Sequence, residues 1–187
     1  SAHIFYGTSG EQSSRSQSDN DAVLTGAGQW PGNPYVQDDM NGDGVGDLIL
    51  SDRSSSSDTG GVFVFYGGAA GITASDESGA DITLTGEQAN DRFGRYYDTG
   101  DINGDGLRDL VVAAVDAPSA SLRGRVYIFY GPISSKSATQ ADVIFEGEAA
   151  ADEFGDGVIV RDYNGEGIED MQPFSAREYA RSLMGLE

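Results

Sequence analysis

The chain has 187 residues, 38% hydrophobic and 22% charged, which is long enough for a domain with a sizeable core and too apolar for disorder to be the default. A net charge of -20, from 31 acidic and 11 basic residues, speaks against nucleic acid and anionic membranes as partners and favours cations or basic surfaces. With no cysteine, disulfides, thiolate metal sites and cysteine nucleophiles are excluded, and no apolar run approaches the roughly 18 residues of a membrane-spanning helix.

Glycine is abundant (27) and proline scarce (5), without a collagen period, so many tight turns and short strands are expected. The first predicted strand ends in Ile4-Phe5-Tyr6-Gly7, and the next ends in Leu24-Thr25-Gly26. An acidic segment from Asp39 to Asp47 leads into the apolar run Asp47-Leu48-Ile49-Leu50. A serine-rich stretch at 51–57 reads as a hairpin loop, followed by an aromatic, β-branched strand from Val62 to Tyr66. Ile82-Thr83-Leu84-Thr85 alternates apolar with polar residues, as a half-exposed strand does.

The same landmarks then return in the same order. Val64-Phe65-Tyr66-Gly67 and Ile128-Phe129-Tyr130-Gly131 repeat the first strand, and Leu84-Thr85-Gly86 and Phe145-Glu146-Gly147 repeat the second. Acidic segments begin at Asp39, Asp101 and Asp162, at intervals of 62 and 61 residues. Phe93-Gly94 recurs as Phe154-Gly155, with Pro31-Gly32 in the corresponding earlier place. Apolar runs at 109–114 and 126–130 are strands, and the serine-rich stretch 134–139 is a second hairpin loop. Each unit is therefore a four-stranded antiparallel sheet: a strand before the acidic loop, one after it, the aromatic strand and the Thr-Gly strand. Such a sheet buries both faces only by stacking on its neighbours, as the blades of a β-propeller do.

An all-β propeller-type fold with about three blades' worth of chain follows. It comprises a partial blade at 1–29, blades at 30–90 and 91–151, a partial blade at 152–174, and a tail or short helix at 175–187. Ser175-Ala176-Arg177-Glu178 has the capping-box pattern, and Ala176, Tyr179, Ala180 and Leu183 share a helical face, which predicts a helix over 176–184.

The acidic loops carry the chemistry. Calcium takes six to eight oxygens from carboxylates, amides and carbonyls. Asp101, Asn103 and Asp105 stand at loop positions 1, 3 and 5, Gly106 permits the sharp turn, Leu107 offers its carbonyl at position 7, and Asp109 closes the shell at position 9. Asp39, Asn41, Asp43, Gly44, Val45 and Asp47 repeat the set. The third loop has Asp162, Asn164, Ile168 and Asp170, but Glu166 at position 5 is a methylene longer, so two filled calcium sites and a weaker or empty third are expected. The ligand order is that of an EF-hand through position 9, yet position 12 is Leu50 or Val112 and the flanks are strands. Zinc would ask for His or Cys, and magnesium rarely suits an all-protein cage.

Taken together, the aromatic strand, the Phe-Gly pair, the D-x-N-x-D-G-x-x-D loop and the apolar strand after it resemble the FG-GAP repeats of integrin α-subunit β-propellers and related bacterial surface proteins. The resemblance spans roughly residues 2–172. It implies structural calcium in the loop joining the first two strands of a blade, and a partner-binding surface on the opposite side. This chain departs from the pattern with Ala113-Ala114-Val115 and Ser51-Asp52-Arg53 where Gly-Ala-Pro is common, and with Met171-Gln172-Pro173-Phe174 in the third unit. Family propellers close with more blades than three. A homodimer in which each chain completes the other's half units, giving six blades, is one expectation. An extracellular or cell-surface recognition or adhesion module for a protein or glycan is the expected function. The alternatives are an accessory domain of a secreted calcium-dependent hydrolase and a self-assembling propeller subunit.

No catalytic constellation is expected. His3 is the sole histidine, the serines sit in loop-like runs, and the carboxylate pairs are claimed by the acidic loops. Asp91-Arg92 and Asp152-Glu153 read as turn and surface residues. Trp30, Tyr96 and Tyr97 read as blade packing before they read as a ligand platform.

Overall fold

Alternating apolar residues between turns build short strands, and the strands assemble in the predicted order. The structure, a computed structural model, describes residues 1–4, 21–25, 35–161 and 170–173, with the backbone alone at 35–37 and 170–173. β1 (Ala2–Ile4) and β2 (Ala22–Leu24) form an antiparallel pair. β3 (Tyr35–Asp38), β4 (Asp47–Asp52), β5 (Gly61–Phe65) and β6 (Ile82–Thr85) form an antiparallel meander. β7 (Tyr96–Gly100), β8 (Asp109–Ala114) and β9 (Arg125–Phe129) begin a second meander. The two-residue strand β10 (Lys136–Ser137) interrupts it, and β11 (Val143–Glu146) completes it. β12 (Val158–Arg161) and β13 (Asp170–Pro173) pair antiparallel. Two complete four-stranded sheets thus stand between two two-stranded ones, the expected blade-like arrangement. The predicted helix at 176–184 lies outside the described residues.

Strand alternation sends successive side chains to opposite faces, and each face becomes half of an inter-sheet core. Leu50, Phe63 and Phe65 meet Leu24, Ala2 and Ile4 on one side of the first sheet. Ile49, Val62, Val64, Ile82 and Leu84 on its other side meet Leu110, Val112, Tyr127 and Phe129 of the second. Val111, Ala113, Val126 and Ile128, one residue out of phase, meet Val158 and Val160 of β12. Core therefore lies between sheets, which is why a single sheet would not be stable alone.

The Phe-Gly landmark works as a wedge. Phe93, between β6 and β7, is fully buried between the two complete sheets, with its ring edge-on to Tyr127 at 5.4 Å and to Phe129 at 6.3 Å. Its N–H donates to Thr59 O at 3.0 Å, and Phe154 repeats this with Arg123 O at 2.9 Å.

Two features depart from the sequence expectation. The stretch 134–139 is more than a hairpin loop, because Lys136–Ser137 pairs in parallel with Leu84–Thr85 of the preceding sheet and Ser135 Oγ accepts from Thr83 N–H at 2.9 Å. One unit earlier Thr25 N–H donates to Ser75 O at 2.8 Å and bridges Asp76 in parallel. The connection between third and fourth strands thus reaches back to clasp the outer strand of the unit before it. Each clasp ends in a one-turn 3-10 helix, Glu77–Gly79 capped by Asp76 or Ala138–Gln140 capped by Ser137. The second departure is Asp91, which is buried (1% exposed) rather than a surface residue, with Oδ1 accepting from Ser119 N–H at 2.9 Å.

Candidate metal centre

The two complete acidic loops lie at corresponding places, between β3 and β4 and between β7 and β8. In the first, Asp39 Oδ1 accepts from the N–H groups of Gly42 (2.7 Å) and Asp43 (3.0 Å), and Oδ2 accepts from Gly44 at 2.7 Å. Asp101 does the same with Gly104 (2.8 Å), Asp105 (3.0 Å) and Gly106 (2.9 Å). The backbone therefore wraps around the position-1 carboxylate. Gly44 and Gly106 hold φ near +84° and +86°, a conformation costly for side chains other than glycine. Asn41 Oδ1 accepts from Asp43 N–H at 2.9 Å, and Asp43 Oδ1 from Val45 N–H at 2.8 Å, with matching bonds at Asn103 and Asp105.

Position 9 is the buried end of each loop. Asp47 is 2% exposed and Asp109 is fully buried. Asp47 opens β4 and accepts from Met40 N–H and Gly67 N–H, both at 2.8 Å. Asp109 opens β8 and accepts from Ile102 N–H and Gly131 N–H, both at 2.8 Å, and from Asn103 N–H at 3.3 Å. Gly67 and Gly131 are the glycines that close the aromatic-strand landmark. A Cβ on Gly67 would sit 2.2 Å from Gly46 O, so only glycine lets the strand end approach the loop this closely.

Burial pushes the carboxyls of Asp47 and Asp109 up, the N–H groups named above pull them down, and the neighbouring loop acids push them up further: Asp43 and Asp39 at the first, Asp105 at the second. Each loop thus concentrates negative charge on hard oxygen donors with a buried carboxylate at its base. Among the described residues no three His, Cys, Asp or Glu side chains already form a metal-holding group, and the loop acids accept from backbone N–H groups. Val45 and Leu107 are 40% and 41% exposed. Arg108, at position 8 of the second loop, pairs with Asp38 beside the first at 3.1 Å, and Thr99 Oγ1 also donates to Asp38. This ties adjacent loops together.

In the third loop Asp162, Asn164, Glu166 and Ile168 lie outside the described residues, whereas Asp170 opens β13 as Asp47 and Asp109 open β4 and β8. Trp30 also lies outside. Tyr97 belongs to the interface between sheets, where its hydroxyl donates to Ile49 O at 2.9 Å, and Tyr96 is exposed with the Arg95 guanidinium 5.6 Å from its ring centroid. The three do not form a described platform. The sequence reading overlooked the buried carboxylates of Asp52 and Asp91. Superposing the units was the available signal for Asp52, because the matching residue is Ala114.

No family model matches the chain. Over 142 residues it is 35% identical to the phosphatidylinositol-glycan-specific phospholipase D of Rattus norvegicus and 34% identical to that of Homo sapiens; each alignment covers 71% of this chain and 17% of the relative. Over 127 residues it is 31% identical to integrin alpha-PS2 of Drosophila melanogaster, covering 63% of this chain and 9% of that protein. The chain therefore spans less than a fifth of the length of these relatives. The similarity to an integrin α chain agrees with the FG-GAP resemblance of the repeats. No helix among the described residues is long and apolar enough to cross a membrane.

Proposed function

We propose that the chain is a calcium-binding FG-GAP β-propeller module for extracellular or cell-surface recognition or adhesion, with calcium in a structural role and no catalytic site of its own. The observation that carries this reading is the pair of equivalent loops, each wrapped on its position-1 aspartate and each ending in a buried aspartate tied to the aromatic strand. Asp39, Asn41, Asp43 and Asp47, with the Val45 carbonyl, would hold one ion; Asp101, Asn103, Asp105 and Asp109, with the Leu107 carbonyl, a second; the third loop would bind more weakly or not at all. A hard dication suits this donor set and offsets mutual repulsion among the acids. It would pin the loop to two strands and so stiffen the end of the blade.

Melting in EDTA and again in millimolar calcium or magnesium tests the assignment. An ion that binds only the folded state stabilises by RT ln(1 + [L]/Kd), about 2.7 kcal/mol at 100-fold excess over Kd. A rise of several degrees in calcium, with a much smaller effect of magnesium, is expected. Equal melting in all three solutions would remove calcium as a structural ligand of the loops.

The similarity to phosphatidylinositol-glycan-specific phospholipase D over 71% of the chain favours a second reading, in which the module is the non-catalytic companion of a calcium-dependent hydrolase. The chain alone is then expected to leave a glycosylphosphatidylinositol-anchored substrate uncleaved with or without calcium, and cleavage would overturn the non-catalytic assignment. Among the described residues β1 pairs with β2 alone and β13 with β12 alone, which also fits a homodimer that joins the half units into a six-bladed ring; a monomeric mass by light scattering at high protein and calcium concentration would refute it.

A further inference from the structure

The repeat shows what the outer half of each sheet is built to meet. Leu24, Leu84 and Phe145 hold the same place on β2, β6 and β11, two residues before a repeat glycine. Leu24 and Leu84 are fully buried, whereas Phe145 is 40% exposed. The buried Ile82 is matched by the half-buried Val143, and the fully buried wedge Phe93 by the half-buried Phe154. Strand alternation puts Phe145 on the same face of β11 as Val143, which packs with Phe154 on the outer side of the second complete sheet. Leu84 and Phe93 owe their burial to the third strand of the next unit and the connection after it, through Tyr127, Phe129, Ile133 and Ala138. Beyond the second complete sheet the described residues supply only the first two strands of a unit, β12 and β13.

The complementary half is β1 and β2, the third and fourth strands of a unit by their landmarks. Ala2, Ile4 and Leu24 pack one face of this pair on the first complete sheet. Alternation puts His3 and Val23 on the opposite face, and Val23 joins none of the described apolar clusters. His3 holds the place of Tyr127, whose ring meets Phe93 edge-on at 5.4 Å. The order β12-β13-β1-β2 would reproduce the order β7-β8-β9-β11 of the second complete sheet. Within one chain the two halves pack on opposite outer sides of the pair of complete sheets, and joining them there would make a ring of three blades, fewer than the four of the smallest propellers. Between two copies each chain gives one half and receives the other, so the contact closes by two-fold symmetry.

We propose that the surface of Val143, Phe145 and Phe154 receives the β1–β2 pair of a second copy of this chain, with β1 aligned along β13 and His3 lying over Phe154. The inference rests on the homodimer reading given above and names the surface and register that reading requires. In β8 and β9 Val111 stands opposite Ile128; the same register sets Gln172 of one copy opposite Ile4 of the other. Apolar contact at the sheet face and backbone pairing at the edge of β13 then act together, as they do between strands of one blade.

Sedimentation equilibrium in about 0.15 M salt, which screens repulsion between two acidic chains, would give the dissociation constant of the wild type. Phe145→Asp puts a charge into the middle of the contact and is expected to raise that constant more than about tenfold. Ile144→Asp, at a residue 43% exposed on the opposite face of β11, is expected to leave it within about threefold. Because the chain has no cysteine, a Gln172→Cys chain and an Ile4→Cys chain each carry a single thiol, and the two can be mixed and oxidised. A covalent dimer that forms in the mixture and in neither chain alone is expected. A wild type that stays monomeric would overturn the homodimer reading and this surface with it. A dimer that Phe145→Asp leaves intact, with no mixed disulfide, would keep the homodimer reading and overturn this surface.

Discussion

The contact between strand end and acidic loop is testable at one atom. In Gly67→Ala the new Cβ would stand 2.2 Å from Gly46 O and 3.0 Å from Val45 Cγ1, whereas ordinary contact begins at 3.4 Å. Strand or loop must therefore move by more than 1 Å, with an overpacking cost of about 1–3 kcal/mol. That movement also stretches the 2.8 Å bond from Gly67 N–H to the buried Asp47, a charge-assisted bond of about 1.5–3 kcal/mol. The two effects overlap, so a loss of about 2–4 kcal/mol is expected, which lowers the melting temperature by about 4–16 °C for a chain of this size. The neighbouring Gly68→Ala is the control, since its Cβ would meet nothing within 4 Å. Differential scanning fluorimetry in EDTA should separate the two variants widely. In calcium, Gly67→Ala should also gain less stability than the wild type, because Asp47 closes the proposed shell. If Gly67→Ala melted within a degree of Gly68→Ala, the loop would not be braced by the aromatic strand.

Phe93→Ala should cost about 3–5 kcal/mol by chemical denaturation, because it empties a fully buried wedge between two sheets, and a loss below about 1 kcal/mol would show that the sheets do not depend on it. Hydrogen bonds from Arg125 first, then burial against them and the charges of Arg125 and Arg123, leave the Glu146 carboxyl below its ordinary value. A depressed folded-state value means stability that is present above the unfolded value and lost as pH falls through the folded one. Glu146→Gln should therefore melt below the wild type at neutral pH, and the two curves should converge in acid; a gap independent of pH would exclude the ion pair as its cause.

Much of the fold was legible because its landmarks are constraints. Tyr-Gly recurs where a glycine must approach a loop, Phe-Gly where an aromatic ring must fill a gap between sheets, and the apolar strands alternate because both faces are buried. The clasp was not legible, since Lys136–Ser137 is too short to show a period and its bonds are made by backbone. Asp91 and Asp52 were misplaced for a related reason. Acids within polar, turn-like stretches read as solvated, and their burial comes from neighbouring sheets that no local window contains. At the loops, residue type and spacing indicated the donors, but the grip of Gly67 and Gly131 on position 9 spans 20 and 22 residues and emerges only from the pairing of strands.

The backward clasp gives the array a direction. Each outer strand is finished by the unit that follows it, so β2 leans on residues of the first complete sheet and β6 on residues of the second. Units overlap like roof tiles, and each unit needs its successor's clasp as well as a neighbouring sheet against its faces. When such genes grow by duplication, a cut at the sheet boundary strips the upstream unit of its cover, whereas a cut just after the clasp transplants a finished edge. The exposed Ile144 and Phe145 on β11 show what an outer strand presents when no clasp lies over it among the described residues.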